Sequence, residues 1–368
     1  MKRRVLFLAP VNHFKGGAEI SLFDLLRNPL VDPVLAVPEE GSIAEMARQE
    51  GVPVLVTPFG KVNEIKRPFR FWSVFTAAGD WLAAARAVAR ASREIAAVAI
   101  HSNGLKAHGV AMLARLFGGA PVVAHVRDIP LTRSEFFVWR LFAACSYKMI
   151  LVSRPCWPFS GDLPRCVEVV HNGVEIHERC GRILDRGRPI ILGFCGRLHP
   201  FKGINVLLDW MSAAVAQGVP VRLVIRGEAA PADKAWLQSV LDRIAHEFTE
   251  GVILLEGKMT SIEDIYRGID VVVVPSNVPD PLPRSAMEAM SLGLPVIGWP
   301  AGGIPDLVRE GETGWLVDNS HRFVVVVNSL IADPEIYKNI STTCLRVARE
   351  EFSLSRLHAS MGKIYQNL

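Results

Sequence analysis

Two basic and two acidic residues in the second half of the chain have the spacing of an anion- and hydroxyl-binding site. Arg197 and Lys202 lie five apart in GRLHPFKG, between an apolar run and a helical pattern. Two cations beside a helix N-terminus would hold a diphosphate, because side chains and helix dipole attract it in the same direction. Asp280 and Glu288 bracket DPLPRSAME, and their carboxylates would accept hydrogen bonds from a sugar ring and a ribose diol.

Each of these residues also has a simpler interpretation. The basic pair suits a solvated loop, Asp280 suits an Asx-type loop cap, and Glu288 suits a solvated helix face. Pro283 fits the first turn of the helix that contains Glu288, because its missing N–H would be unpaired there in any case. The residues alone leave both interpretations open.

Glycines follow several apolar runs and would let the backbone approach a ligand. Gly16 and Gly17, in HFKGGAE, precede a helical pattern whose first N–H groups would face an anion. Gly227 occupies a similar place in RGEAAP. An ordinary β–α turn explains the same pattern, and none of these loops is the GxGxxG dinucleotide fingerprint.

Polar residues also end two apolar runs of the first half, in AIHSNG and VVAHVRDIP. We expect these side chains to point into a cleft: His101, Asn103, His125, Arg127 and Asp128. A histidine or arginine there would orient a sugar or stabilise charge. A structural histidine with satisfied hydrogen bonds is the alternative.

Composition narrows the class of protein. The chain has 368 residues, 50% of them hydrophobic and 21% charged, which is typical of a globular chain with two domains. A net charge of +4 suits anionic substrates or headgroups and is too small for a nucleic-acid-binding protein. The six cysteines lack zinc-like spacing, so we expect reduced core thiols in a cytosolic protein. The N-terminal apolar run is too short for a signal peptide or membrane span.

Short apolar runs alternate with amphipathic segments, which predicts βαβ units and parallel sheets. The alternation restarts after a Gly- and charge-rich segment, and we place the domain boundary there, at about 175–188. Two doubly wound domains would put the carboxyl ends of both sheets at a shared cleft, where ligands bind in such folds. The predicted strands are Val5–Ala9, Val34–Val37, Val54–Thr57, Val98–His101, Val122–His125, Lys148–Val152, Ile190–Cys195, Arg222–Arg226, Val252–Glu256, Val271–Pro275, Pro295–Gly298 and Trp315–Val317.

Taken together, the motifs resemble glycosyltransferase family 4, a retaining family. They are GGAE (16–19), HNGV (171–174), GRLHPFKG (196–203), GIDVVVVPS (268–276), the Asp280–Gly303 segment and GETGWLV (311–317). The resemblance implies an α/β GT-B fold of two Rossmann-like domains with parallel sheets facing a central cleft. It implies an acceptor-side domain over 1–175, a nucleotide-sugar domain over 189–352, and a C-terminal helix (353–368) that packs back toward the first domain.

The resemblance also assigns roles to residues. Arg197 and Lys202 would hold the donor diphosphate, opposite Asp280 at the sugar and Glu288 at the ribose. Gly16 and Gly17 match the glycine loop near the donor phosphates. Lys258 and Met259 would lie near the base, and Arg284 and Ser285 near the diphosphate. Gly227, at its strand end, is the remaining predicted donor-binding residue.

Three departures from the family pattern bear on donor choice. The first acid of the family's E-x7-E element is the shorter Asp280. Pro283 replaces a common glycine and deletes one N–H, for which Arg284 and Ser285 would compensate. Where the family often has a histidine, our alignment places Arg127, with His125 two residues earlier, and it leaves open which of them meets the sugar.

The implied function is retaining transfer of a sugar from a nucleoside-diphosphate donor to a glycan, lipid-linked or cell-envelope acceptor in polysaccharide biosynthesis. The alternative is a catalytically weak nucleotide-sugar-binding subunit of a glycosyltransferase complex. No Asp-x-Asp motif is evident in the expected place, so we expect no metal or other cofactor. We expect a cytoplasmic protein that binds no nucleic acid. The basic and aromatic segment 59–75 suits an acceptor-side loop packed onto the first domain, and it also suits peripheral contact with a membrane.

Overall fold

In the computed structural model, the residues described are 2–13, 16–65, 77–177, 184 and 187–368. They divide into two compact units. Unit 1 comprises Met1–Gly173 with Leu354–Leu368, and unit 2 comprises Val174–Ser353. The segment 175–188, where we predicted the domain boundary, lies largely outside the described residues, as does the 66–75 part of the predicted membrane segment.

Unit 1 is built on a parallel sheet with the strand order β3-β2-β1-β4-β5-β6-β7. Its first six strands confirm the predicted alternation, because strands covered on both faces are continuous apolar runs. The seventh was not predicted: it has only three residues, and just Val167 is fully buried. The strands are β1 (Arg3–Leu8), β2 (Val31–Val37), β3 (Val54–Val56), β4 (Ala99–Asn103), β5 (Val122–Val126), β6 (Lys148–Leu151) and β7 (Val167–Val169).

Helices connect these strands, and one more comes from the far end of the chain. The connecting helices are α1 (Gly17–Leu26), α2 (Ser42–Gln49), α3 (Ala78–Glu94), α4 (Leu105–Leu116) and α5 (Arg133–Cys145). The spacing Thr132-x-x-Glu135 marks the start of α5: the Thr132 side chain accepts a hydrogen bond from the Glu135 amide. The final helix, Leu354–Gln366, packs Leu357, Met361 and Tyr365 into the core of unit 1.

Unit 2 repeats the plan with a parallel sheet in the order β10-β9-β8-β11-β12-β13. Its strands all match predicted runs: β8 (Ile190–Cys195), β9 (Val221–Arg226), β10 (Ile253–Gly257), β11 (Val271–Val274), β12 (Val296–Gly298) and β13 (Gly314–Leu316). Its helices are α6 (Ile204–Ala216), α7 (Lys234–Glu247), α8 (Ile262–Tyr266), α9 (Arg284–Ser291), α10 (Ile304–Leu307), α11 (Ser320–Ala332) and α12 (Pro334–Glu351), which makes the Leu354–Gln366 helix α13. Among the described residues, no helix is both long and apolar enough to span a membrane.

Three histidines lie in the core of unit 1 and hold no charge there. His101, His108 and His125 are fully buried, and burial lowers the pKa of each imidazole below its usual value, to about 3 for His108. The nearby Arg127 guanidinium lowers the pKa of all three further. The Tyr365 hydroxyl lies 2.7 Å from His101 Nδ1, which ties α13 to the sheet.

This burial reverses one expectation and generates a pH dependence. His101 and His125 were expected to point into a cleft, yet both rings lie in the core. The folded-state pKa of each of the three imidazoles is below the unfolded-state value of about 6.5, so the unfolded chain binds more protons. Stability is therefore complete above about pH 6.5 and is lost as the pH falls below it.

We expect the free energy of unfolding to fall by up to about 4 kcal/mol between about pH 7.5 and 5.5, from about 1.4 kcal/mol for each histidine. His125→Leu should remove about a third of this difference, because leucine does not titrate. Urea unfolding of both proteins at the two pH values, followed by circular dichroism, measures the slopes. Equal slopes would show that His125 is not neutral in the folded state.

Candidate functional site

The candidate site of unit 2 is built where β8, β9 and β11 end side by side. The strands are parallel, so the loops that follow them meet at one edge of the sheet. The loop after β8 runs beside the loop after β9: the Gly196 amide donates to the Arg226 carbonyl at 2.9 Å, and the Leu198 amide donates to the Glu228 carbonyl at 2.9 Å. Two segments that the sequence separates thus form one surface.

Gly203 brings the loop after β8 against the end of β11. Its φ is +76°, and a Cβ atom there would lie 1.9 Å from the carbonyl oxygen of Pro275, the residue that follows β11. Only glycine accommodates both the left-handed backbone and this contact. The approach joins the loop after β8 to the end of β11, at the point where α6 begins.

Gly227, predicted to bind the donor, has a packing role. A Cβ atom on it would lie 1.8 Å from the Gly196 carbonyl oxygen, and its amide donates to the Gly257 carbonyl at 2.7 Å. The glycine therefore keeps the ends of β8, β9 and β10 in contact.

Lys202 and Asp280 form an ion pair across this edge. Lys202 Nζ lies 2.5 Å from Asp280 Oδ2, and the two side chains are 34% and 15% exposed. The expectation that they lie on opposite sides of a ligand is therefore wrong for this structure. An ammonium has three donors, so Lys202 keeps hydrogen-bonding capacity beyond the one used by Asp280.

The backbone of Asp280 is held by the glycine turn at the end of the opening motif. The Gly303 amide donates to the Asp280 carbonyl at 2.8 Å, and a Cβ atom on Gly302, whose φ is +60°, would lie 2.3 Å from that oxygen. Asp280 Oδ1 accepts a hydrogen bond from the Leu282 amide at 3.3 Å. The Asx-type contact is thus present, and it occupies only one of the two carboxylate oxygens.

Arg197 differs from Lys202 in its surroundings. It is exposed in the loop after β8, and no carboxylate among the described residues pairs with it. At this edge, one cation is partly neutralised by Asp280 and the other is open to an anion from solvent.

Glu288 is held by two donors on either side of it. Its Oε1 accepts from Arg284 Nε at 3.2 Å, and its Oε2 accepts from the Tyr266 hydroxyl at 2.9 Å. Burial and the Glu288 carboxylate raise the pKa of Tyr266 well above its usual value, so the hydroxyl stays a donor. Tyr266, at the end of α8, was not foreseen, since nothing in IEDIY distinguishes it from a core aromatic residue. Pro283 caps α9 instead of lying within its first turn, a correction of one residue.

The remaining predicted donor-binding residues of unit 2 lie around these groups. Lys258 is exposed, with Nζ 4.0 Å from Glu228 Oε2. Met259 and Ser285 are half-buried, and the Ser285 carbonyl accepts a second contact from the Tyr266 hydroxyl at 3.3 Å.

In unit 1, Arg127 lies at the carboxyl edge of the sheet, directly after β5. Its Nε donates to Asn103 Oδ1 at 2.6 Å, and its Nη1 donates to Asn172 Oδ1. Arg127 is half-buried, whereas His125 is in the core, so of the two alternatives Arg127 is the one that reaches the surface. Asn172 belongs to the HNGV motif, and we had assigned it no role, although it too follows the end of a strand.

Gly16 and Gly17 begin α1 as expected, but the helix start already holds a carboxylate. The Gly16 amide donates to Glu19 Oε2 at 2.8 Å in a capping box. Among the described residues, no group of three or more His, Cys, Asp or Glu side chains is arranged to hold a metal ion.

The match to a known protein family falls in the second half of the chain, which contains the candidate site of unit 2. Residues 189–333 match the family model Glycosyl transferases group 1. This segment lies within unit 2 and contains the basic loop, both carboxylates and Tyr266.

Curated relatives match this chain over about half of its length. Spore coat protein SA of Bacillus subtilis (strain 168) is 26% identical over 190 residues, which are 49% of this chain and 49% of that protein. D-inositol 3-phosphate glycosyltransferase of Corynebacterium glutamicum (strain R) is 30% identical over 184 residues, 48% of this chain and 43% of that protein. The chain spans about half the length of the curated relatives it matches.

Solved structures match over the whole chain. Anabaena Alr3699/HepE in complex with UDP has a TM-score of 0.80 at 21% identity and covers 100% of both chains. The lipopolysaccharide outer core galactosyltransferase WaaB has a TM-score of 0.74 at 16% identity, also over 100% of both chains. At these identities the likeness shows the fold, and it confirms the predicted GT-B class with Rossmann-like parallel sheets.

Two glycines at the two ends of α6, Gly203 and Gly218, both have a left-handed backbone. Comparing their alanine variants separates the stability lost to backbone strain from that lost to the contact with Pro275. Gly218 has a φ of +71° and open space around its Cα, so Gly218→Ala should cost about 1 kcal/mol of stability. Gly203→Ala adds the collision with Pro275 and should cost about 3 kcal/mol or more. Urea unfolding measures both variants. Equal losses would show that the loop after β8 is not pinned to β11.

Proposed function

We propose that the chain is a glycosyltransferase that moves a sugar from a nucleoside-diphosphate sugar to a hydroxyl of a glycan, lipid-linked or cell-envelope acceptor, with retention at the anomeric carbon. One observation carries this proposal: the segment that matches Glycosyl transferases group 1 places an open cation, a second cation and two carboxylates around one sheet edge. The HepE complexes with UDP and with UDP-glucose support a donor of this class.

Arg197 and Lys202 would act on the leaving group. As the bond from the anomeric carbon to the diphosphate oxygen breaks, negative charge grows on the diphosphate. The exposed Arg197 guanidinium and the free donors of Lys202 would stabilise that charge more in the transition state than in the ground state. The resemblance to retaining enzymes favours attack by the acceptor hydroxyl on the same face, with its proton passing to a leaving-phosphate oxygen.

The two carboxylates would orient the donor through lone pairs that the protein leaves available. Each oxygen of Glu288 accepts one hydrogen bond from the protein, so each has a further lone pair for a ribose hydroxyl. Asp280 would accept from a sugar hydroxyl while it keeps Lys202 in place. Arg284 and Ser285 would complete the diphosphate contacts, and Lys258 and Met259 would lie near the base.

On the acceptor side, Arg127 would orient the reacting sugar from the edge of unit 1, where Asn103 and Asn172 hold its guanidinium. Gly16 and Gly17 would approach the donor phosphates if Glu19 releases the Gly16 amide. We propose that the reaction needs no metal ion, that the protein works at the cytoplasmic side, and that it binds no nucleic acid.

Arg197→Ala and Lys202→Ala should each lower turnover by roughly 10²–10³-fold, because each removes charge aimed at the leaving group. Arg222→Ala is the matched control: Arg222 is exposed, as Arg197 is, but it lies near the opposite end of β9, and its loss should leave turnover unchanged. A thermal-shift screen with UDP-, GDP-, ADP- and TDP-sugars selects the donor, and release of nucleoside diphosphate measures turnover. Donor binding without turnover by the unsubstituted protein would favour the non-catalytic subunit instead.

Substitutions of Glu288 and Asp280 should change different properties, nucleotide affinity for the first and sugar preference for the second. Glu288→Gln should weaken binding of the bare nucleoside diphosphate about tenfold, because it weakens contacts to the ribose. Asp280→Glu should leave that affinity unchanged and alter the relative rates with different sugars on the same nucleotide. Calorimetry with the nucleotide and competition between donor sugars separate the effects. The opposite pattern would exchange the two assignments.

A further inference from the structure

Helix α5 exposes large apolar side chains that no described part of the chain covers. Leu131, which precedes the helix, is 69% exposed, and Phe137 and Leu141 on the helix are 70% and 48% exposed. The opposite side of α5 is ordinary core, because Trp139 and Phe142 are buried. The exposed residues are therefore a second apolar side of a helix that already packs against its sheet.

The exposed side also carries positive charge and no negative charge. At about 100° per residue, Leu141, Arg133 and Arg140 project within about 60° of Phe137. The one carboxylate of the helix turns inward: Glu135 is buried and accepts a hydrogen bond from the Leu131 amide at 2.8 Å. We call Leu131, Arg133, Phe137, Arg140 and Leu141 the α5 face.

The two arginines of the α5 face are available to an anionic partner. Among the described residues, no carboxylate pairs with either of them. The Arg140 guanidinium lies 4.4 Å from the centre of the Phe159 ring, a cation–π contact that leaves its charge in place. A second copy of the chain is a poor occupant, since a two-fold contact would bring Arg133 and Arg140 against the same charges.

We propose that the α5 face docks unit 1 on a membrane surface rich in anionic headgroups. Phe137, Leu141 and Leu131 would enter the boundary between headgroups and acyl chains, and Arg133 and Arg140 would contact the phosphates. The residues of the α5 face differ from those of the segment predicted earlier, 59–75. The docking does not rest on the transfer reaction, so binding is measurable whether or not the protein transfers a sugar.

If the proposed function holds, docking through α5 would bring the membrane close to the sheet edge of unit 1. α5 follows β5, so it begins at the sheet edge where Arg127 lies, six residues before Arg133. A membrane held by the α5 face would therefore present a lipid-linked acceptor close to that edge.

Co-sedimentation with vesicles tests the docking. The full chain should pellet with phosphatidylcholine vesicles that contain phosphatidylglycerol and only weakly with phosphatidylcholine alone. Arg133→Ser with Arg140→Ser should weaken binding about 25-fold, since each arginine near the surface contributes about fivefold. Phe137→Ser with Leu141→Ser should weaken it about tenfold or more through lost apolar insertion.

Matched controls remove the same kinds of side chain elsewhere. Leu116→Ser with Val325→Ser removes two exposed apolar residues outside α5, and Arg222→Ser with Arg349→Ser removes two exposed arginines. Both control proteins should bind like the unsubstituted chain, and unchanged unfolding temperatures show that every variant is folded. Equal loss in test and control variants would overturn the proposal, as would binding that ignores phosphatidylglycerol. A dimer in solution that only the α5 variants dissociate would also overturn it, because the face would then join two copies.

Discussion

The contact between Lys202 and Asp280 is the interaction on which the arrangement of the candidate site in unit 2 depends. It joins the loop after β8 to the loop after β11, 78 residues later in the chain. Gly203 permits the same approach from the backbone, and the Gly302–Gly303 turn holds Asp280 from behind. The ion pair and the two glycine contacts therefore hold the loops after β8 and β11 together. They give the sheet edge a defined geometry as well as charge.

The ion pair also gives the two cations at this edge different electrostatic roles. A lysine that shares its charge with a carboxylate attracts an anion less strongly than one left alone, but it is held in place before the anion arrives. Arg197 has no such partner among the described residues and supplies the uncompensated charge. Glu288 is oriented by Arg284 and Tyr266 in a similar way, so both carboxylates are positioned by donors within unit 2. In the proposed transfer reaction, the Lys202 ammonium would therefore need little rearrangement to meet the negative charge that grows on the leaving group.

The sequence predicted the fold well where one rule decided the structure. Buried parallel strands are continuous apolar runs, so twelve strands could be located, whereas the short edge strand β7 has too few buried residues for a pattern. For the site, residue types and strand ends located Arg197, Lys202 and Glu288. The Lys202–Asp280 pair, the Tyr266 hydroxyl and the burial of His125 are long-range contacts, and single-chain spacing does not encode them.

The proposed function requires the sheet edge of unit 2 to hold a nucleoside diphosphate through the loop after β8 and the start of α9. Hydrogen–deuterium exchange with and without UDP, GDP, ADP or TDP tests it without requiring an acceptor. With the preferred nucleotide, peptides that cover 196–203 and 280–288 should exchange more slowly, while peptides from the opposite edge, around Arg222, should not change. Absence of protection in both segments with every nucleotide, or protection confined to other parts of the chain, would show that this edge is not the nucleotide site.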